Sequence, residues 1–136
     1  MKQKSLQRML TVALLTLVAT AAYAQDYPLT ATIPFAFRAV GSDLAAGRYK
    51  VERIGNWGTM VLRNLDTGKA AIVQPKVTIS ESNGAGARLL FQCGGGEGCS
   101  LAQLWSGTGS GLEFSTSALT AAQRERGATM FLVRLK

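Results

Sequence analysis

The chain contains no histidine. That absence excludes a Ser-His-Asp or Cys-His catalytic arrangement and any histidine-ligated metal, and it removes the usual general base near neutral pH. Cysteine is scarce as well, with Cys93 and Cys99 both in the stretch Cys-Gly-Gly-Gly-Glu-Gly-Cys. Two thiolates do not complete a tetrahedral zinc site, and Glu97 is the one acidic residue between them. The carboxylates are few and dispersed: Asp26, Asp43, Glu52, Asp66, Glu81, Glu97, Glu113 and Glu125. Nothing in their spacing marks a glycosidase pair. Gly68-Lys69 lacks the preceding glycine pattern of a phosphate-binding loop, and Gly107-Thr108-Gly109-Ser110-Gly111 reads as a mobile loop between elements. No catalytic group, cofactor or metal is expected.

What is present begins with an export signal. Lys2, Lys4 and Arg8 precede an uncharged, mostly apolar run from Met9 to Ala22, and Ala22-Tyr23-Ala24 follows as a small-x-small cleavage site. The run is shorter than the roughly 20 residues that cross a bilayer, so it reads as a signal peptide cut between Ala24 and Gln25. Residues 25–136 then form one domain, without a transmembrane segment, in the periplasm or the medium. The net charge of the chain, +7, falls by the three basic residues that leave. The remaining Lys and Arg are scattered singly, which argues against a nucleic-acid face.

Glycine supplies 15 residues, all after the signal, and punctuates the domain at short intervals. Between these turns the apolar residues mostly follow a period of two, as half-buried strands require. The pattern predicts strands over Leu29 to Phe37, Gly47 to Ile54, Thr59 to Leu65, Ala70 to Ile79 with an interruption near Pro75, Ala87 to Cys93, Cys99 to Trp105, and Thr129 to Leu135. Tyr49 and Val51 share one face, and Val77 and Ile79 are expected inward. Ser117 to Gly127 has a capping residue, good helix formers and a terminal glycine, and predicts one short helix. The expected fold is all-β: an antiparallel sandwich or small barrel of about seven to eight strands with one helix near the C-terminus.

A hairpin with a five-residue loop places Cys93 opposite Cys99, Phe91 opposite Leu101, Leu89 opposite Gln103 and Ala87 opposite Trp105. In an exported chain, two cysteines so placed predict a structural disulfide rather than a thioredoxin-like redox pair.

Trp57 stands in the turn Gly55-Asn56-Trp57-Gly58, either folded onto the core or exposed as a platform. Arg53 precedes this turn and Arg63 follows it, so Trp57, Arg53 and Arg63 form a candidate surface for an envelope glycan, an anionic surface or a partner protein.

Three motifs carry a resemblance. Ile33-Pro34-Phe35-Ala36-Phe37, Leu44-Ala45-Ala46-Gly47-Arg48-Tyr49-Lys50-Val51 and Leu101-Ala102-Gln103-Leu104-Trp105, with Gly111-Leu112-Glu113 and Arg124-Glu125-Arg126 after them, resemble a family of small secreted proteins of soil bacteria. That family shows a Pro-Phe-x-Phe strand, a Leu-Pro-Ala-Gly-x-Tyr-x-Val turn and strand, and a late Gln-x-Trp strand. Ala45 stands where the family has proline, and the Cys93 to Cys99 hairpin departs from its more polar turn. The resemblance implies export and a β fold and brings no activity. The chain therefore reads as an exported, non-enzymatic binding or structural module. The alternatives are a carbohydrate hydrolase using a carboxylate pair and an adhesin or assembly subunit that exposes an edge such as Leu29 to Phe37.

Overall fold

Two prolines send the chain from one sheet to the other. The computed structural model describes residues 27–56, 58–94, 98–116 and 127–136. In chain order its strands are β1 (Leu29–Ile33), β2 (Phe37–Ala39), β3 (Ser42–Leu44), β4 (Gly47–Ile54), β5 (Thr59–Asn64), β6 (Ala70–Val73), β7 (Val77–Ser80), β8 (Arg88–Cys93), β9 (Cys99–Trp105), β10 (Ser110–Glu113) and β11 (Thr129–Arg134). The first sheet has the order β1-β4-β5-β6 and the second β11-β8-β9-β10-β7, with β2 parallel to the start of β9 and β3 paired to β2. The two sheets face each other as an open, sandwich-like fold rather than a closed barrel. Among the described residues there is no helix, and the helix expected over 117–127 lies, but for Gly127, outside them.

Proline explains the strand breaks. The run expected over Leu29 to Phe37 divides at Pro34, where β1 ends in the first sheet and the chain crosses to β2 in the second. The run expected over Ala70 to Ile79 divides at Pro75 into β6 and β7, again in different sheets. A residue without an N–H cannot continue a ladder, so each proline marks a place where pairing has to change. This crossing also corrects the facing of β7. In β6, Ala71 and Val73 are buried, and carrying that alternation forward points Val77 and Ile79 inward. The crossing breaks the phase: Thr78 pairs with Leu112, Ile79 with Gly111, and Val77 is 48% exposed.

The core lies between the sheets. Ile33, Tyr49, Val51, Met60, Leu62 and Val73 from the first sheet meet Phe37, Leu89, Phe91, Leu101 and Leu104 from the second. Burying each side chain of this size contributes about 1.5–3 kcal/mol. Phe35 and Phe37, set two residues apart after Pro34, both meet Phe91 edge to face, with ring centres 5.0 and 5.2 Å away. The buried Tyr49 ring lies 5.4 Å from Phe37 and its hydroxyl donates to the Ala45 carbonyl at 2.6 Å. That bond ties the turn before β4 to the strand. Gly47 in the same turn has φ of +152°, and a Cβ there would stand 3.0 Å from the Asn64 side-chain nitrogen. The buried Asn64 side chain in turn accepts from the Asp66 and Thr67 amides and shapes the β5–β6 turn.

The cysteine hairpin forms, with Cys93 disulfide-bonded to Cys99 and their Cα atoms 4.1 Å apart. Phe91 faces Leu101, as expected. Beyond that pair Leu90 faces Gln103, so Ala102 is an extra residue on β9 and the expected Leu89–Gln103 and Ala87–Trp105 pairs become Leu89–Leu104 and Arg88–Trp105. The bulge has a packing reason. Leu101 and Leu104 are both fully buried although three residues apart, and strict alternation would put them on opposite faces. The run over 106–111, expected as a loop, is instead a tight turn followed by β10, and the three-residue β3 is a further strand beyond the expected set.

Candidate functional site

Arg53 follows the alternation of Tyr49 and Val51, so its side chain belongs to the inner face of β4. The core ends at Val51 and Met60 along this strand pair, and Arg53, which pairs with Met60, stands exposed at the mouth between the sheets. A cleft of about 280 Å³ opens there. Its floor is Met60 and Leu112, and its polar lining comes from Tyr27, Arg53, Asn56, Thr78, Ser106 and Ser110.

The hydroxyls are preorganised by the β9–β10 turn. Ser106 Oγ lies 2.8 Å from Thr108 Oγ1 and 3.2 Å from Ser110 Oγ, and it donates to the Ser110 carbonyl at 3.1 Å. Ser106-Gly107-Thr108-Gly109-Ser110 sets a hydroxyl at every second position, with glycines at φ of +92° and +89° allowing the turn to close. Thr78 reaches the cleft because β7 presents that residue, and not Val77 or Ile79, to the first sheet.

The structure separates the expected surface residues. Arg53 and the neighbours of Trp57, Asn56 and Gly58, share the cleft, while Trp57 itself lies outside the described residues. Arg63 pairs with Lys50 on the outer face of the first sheet, so the two arginines point to opposite sides. There Glu52 accepts from Lys50 Nζ at 2.8 Å and lies 3.9 Å from Arg63 Nε. Thr78, Ser106 and Ser110 were missed by reading the sequence. The alternating hydroxyls of the 106–110 run were their one available signal.

Among the described residues, Asp43, Glu52, Asp66 and Glu81 are occupied in ion pairs away from the cleft. Asp43 pairs with Arg38 at 3.0 Å, Asp66 with Arg48 at 2.9 Å, and Glu81 with Arg88 at 2.6 Å. The Lys50 hydrogen bond holds Glu52 below the ordinary glutamate range, the Arg48 amide and guanidinium do the same for Asp66, and the Arg88 guanidinium for Glu81. All three shifts run opposite to the one a glycosidase general acid needs. Among the described residues no group of three Cys, Asp or Glu side chains is gathered as a metal site, and no helix is long and apolar enough to cross a membrane.

Cys93 and Cys99 are joined, so neither is a free thiol. The signal segment and its Ala24–Gln25 junction lie outside the described residues. No protein family, curated protein or solved structure matches the chain.

Proposed function

We propose that this chain is an exported, non-enzymatic binding module of the cell envelope or extracellular space, and that its ligand contact is the cleft at Arg53. The observation carrying this reading is a contrast among arginines. Arg38, Arg48, Arg63 and Arg88 each lie against a carboxylate, whereas Arg53 has no ion-pair or hydrogen-bond partner among the described residues. A guanidinium with no partner among the described residues, beside an amide and the hydroxyls of Thr78, Ser106 and Ser110, suits an acidic sugar residue: the fork grips a carboxylate, and the hydroxyls exchange hydrogen bonds with ring substituents. The cleft volume is at the small end for ligand sites and fits a single sugar unit, leaving the rest of a chain in solvent. No Asp or Glu is among the described residues that line the cleft, which favours binding over carboxylate hydrolysis there.

The experiment is a ¹⁵N NMR titration of the exported protein with an acidic oligosaccharide such as oligogalacturonate. Saturable shifts centred on Arg53, Asn56, Thr78 and Ser110 support the reading; no shifts, or shifts spread evenly over all basic residues, refute it. Export itself is read from the mass of the secreted product, which begins at Gln25 if the signal is cut as proposed.

We also propose kinship with the small secreted proteins of soil bacteria. Supporting it, each shared motif makes a defined contact: Phe35 and Phe37 pack on Phe91, Tyr49 bonds to Ala45, and Gln103 Oε1 accepts from Trp105 Nε1 at 3.0 Å.

A further inference from the structure

Apart from the three-residue β3, which is short enough to be a poor template, the two sheets end, among the described residues, in four edge strands: β1 and β6 in the first, β7 and β11 in the second. An unpaired edge is a template for another strand, and proline at its end is a common protection. The three prolines of the chain are distributed accordingly. Pro28 and Pro34 bracket β1, and Pro75 lies between the end of β6 and the start of β7. Only β11 has no proline beside it. It is also six residues long, and its central residues Met130, Phe131 and Leu132 are 52%, 49% and 49% exposed.

Among the described residues, the backbone of β11 is available as well as its side chains. The Leu135 N–H donates to Ala87 next to β8, and the Lys136 N–H donates the other way, to Thr30 of β1. Donors alternate along a strand, so Met130, Leu132 and Arg134, sharing the parity of Lys136, direct their N–H and C=O groups away from β8. β1 satisfies only the last residue. Thr30 and Lys136 exchange both bonds, after which the two strands separate around a groove of about 520 Å³ lined by Thr32, Val133 and Arg134.

We infer that β11 docks against β11 of a second copy of this chain, antiparallel across a two-fold axis at Phe131. The register follows from the sequence Thr-Met-Phe-Leu-Val-Arg. Centred on Phe131, it sets Met130 opposite Leu132 of the second copy twice, as hydrogen-bonded pairs. Phe131 meets its own counterpart at a non-hydrogen-bonded site, where side chains approach most closely and aromatic pairs are favourable. All three half-exposed apolar residues are thereby covered by each other. Within β11 the charges agree with this choice: the two Arg134 residues fall six positions apart along the ladder, roughly 20 Å, beyond the Debye length at physiological salt. One short strand per copy makes a small interface, so the dimer is reversible.

Sedimentation velocity of the exported protein from about 1 to about 500 μM reads the association. The wild type shifts from monomer to dimer over that range. Leu132→Lys, whose thermal melt reports whether it still folds, remains monomeric throughout, while Ile72→Lys, on the outer face of the first sheet and 66% exposed, dimerises like the wild type. Oxidised Phe131→Cys traps a covalent dimer faster than Ile72→Cys does, and this arm decides the matter if Leu132→Lys fails to fold. A wild type that is monomeric at the highest concentration, an unaltered dimer of folded Leu132→Lys, or equal trapping of the two cysteine variants overturns the inference.

Discussion

The guanidinium carbon of Arg88 lies 4.9 Å from the centre of the Trp105 ring. The two residues are cross-strand partners on β8 and β9, on the face of the second sheet turned away from the core. Arg88 is 8% exposed, and its guanidinium makes a two-pronged pair with Glu81, at 2.9 and 2.6 Å, and a third bond to the Gly86 carbonyl at 3.0 Å. This fastens the 81–88 crossover to the sheet, beside the Ser106–Ser110 turn that lines the cleft. On the next strand Gly111 faces Trp105.

Gly111 is therefore required for its lack of a side chain. A Cβ there would stand 2.6 and 2.7 Å from Trp105 ring atoms, and the ring is held by Arg88 and by its own hydrogen bond to Gln103. Gly111→Ala is expected to lose about 1–3 kcal/mol in urea denaturation, the range for overpacking a filled site. An unchanged midpoint would mean that the ring moves freely.

Stability should fall on the acid side. Glu52, Asp66 and Glu81 have carboxyl groups held below their ordinary values. A depressed group stabilises fully above its unfolded pKa and loses that contribution as pH falls through its folded pKa. The urea midpoint is thus steady near neutrality and drops as pH falls below the ordinary glutamate value of 4.5. Salt weakens the exposed Asp66 and Glu52 parts first, and Glu81→Gln flattens what survives in high salt. A midpoint that does not change from neutral pH to well below 4.5 contradicts this.

Val40 occupies the turn between β2 and β3 with φ of +46°, ahead of Gly41 at +84°. Two successive positive φ values define the turn that prefers Asn-Gly, and a β-branched residue is strained there. Val40→Asn is expected to gain about 1 kcal/mol, measured by thermal or urea denaturation, because the backbone remains and the strain goes. A loss of stability would show that Val40 makes a compensating contact.

Removing the Cys93–Cys99 bridge in a Cys93→Ser, Cys99→Ser variant should cost about 2 kcal/mol, the loop-entropy value for so short a ring. The intact protein should weigh about 2 Da less than its reduced form and resist alkylation until reduced, as a bonded pair requires. Ready alkylation of the native protein would contradict a structural bridge.

Legibility in the sequence followed the reach of the interactions. The faces of β4 were readable because Tyr49, Lys50, Val51 and Glu52 alternate within one strand. The disulfide register was readable because the hairpin is local. The bulge at Ala102 was not, since it depends on Leu101 and Leu104 both meeting the distant first sheet. Val77 and Ile79 misled because their alternation continues that of Ala71 and Val73 across a sheet change that only tertiary pairing reveals. Arg53 and Arg63 seemed neighbours along the chain, but the Arg53–Met60 register, set by a four-residue turn, puts them on opposite faces. The Ser and Thr hydroxyls of the cleft come from two separate segments, β7 and the β9–β10 turn, and no local pattern joins Thr78 to Ser106.

The most direct measurement of the central claim is calorimetric titration of an acidic oligosaccharide into the protein, its Arg53→Gln variant and its Arg63→Gln variant. The binding account predicts saturable binding to the wild type, at least about a tenfold loss for Arg53→Gln, as expected for a lost charged hydrogen-bond donor, and little change for Arg63→Gln. Equal losses for the two variants, or no saturable heat with the wild type, would contradict it.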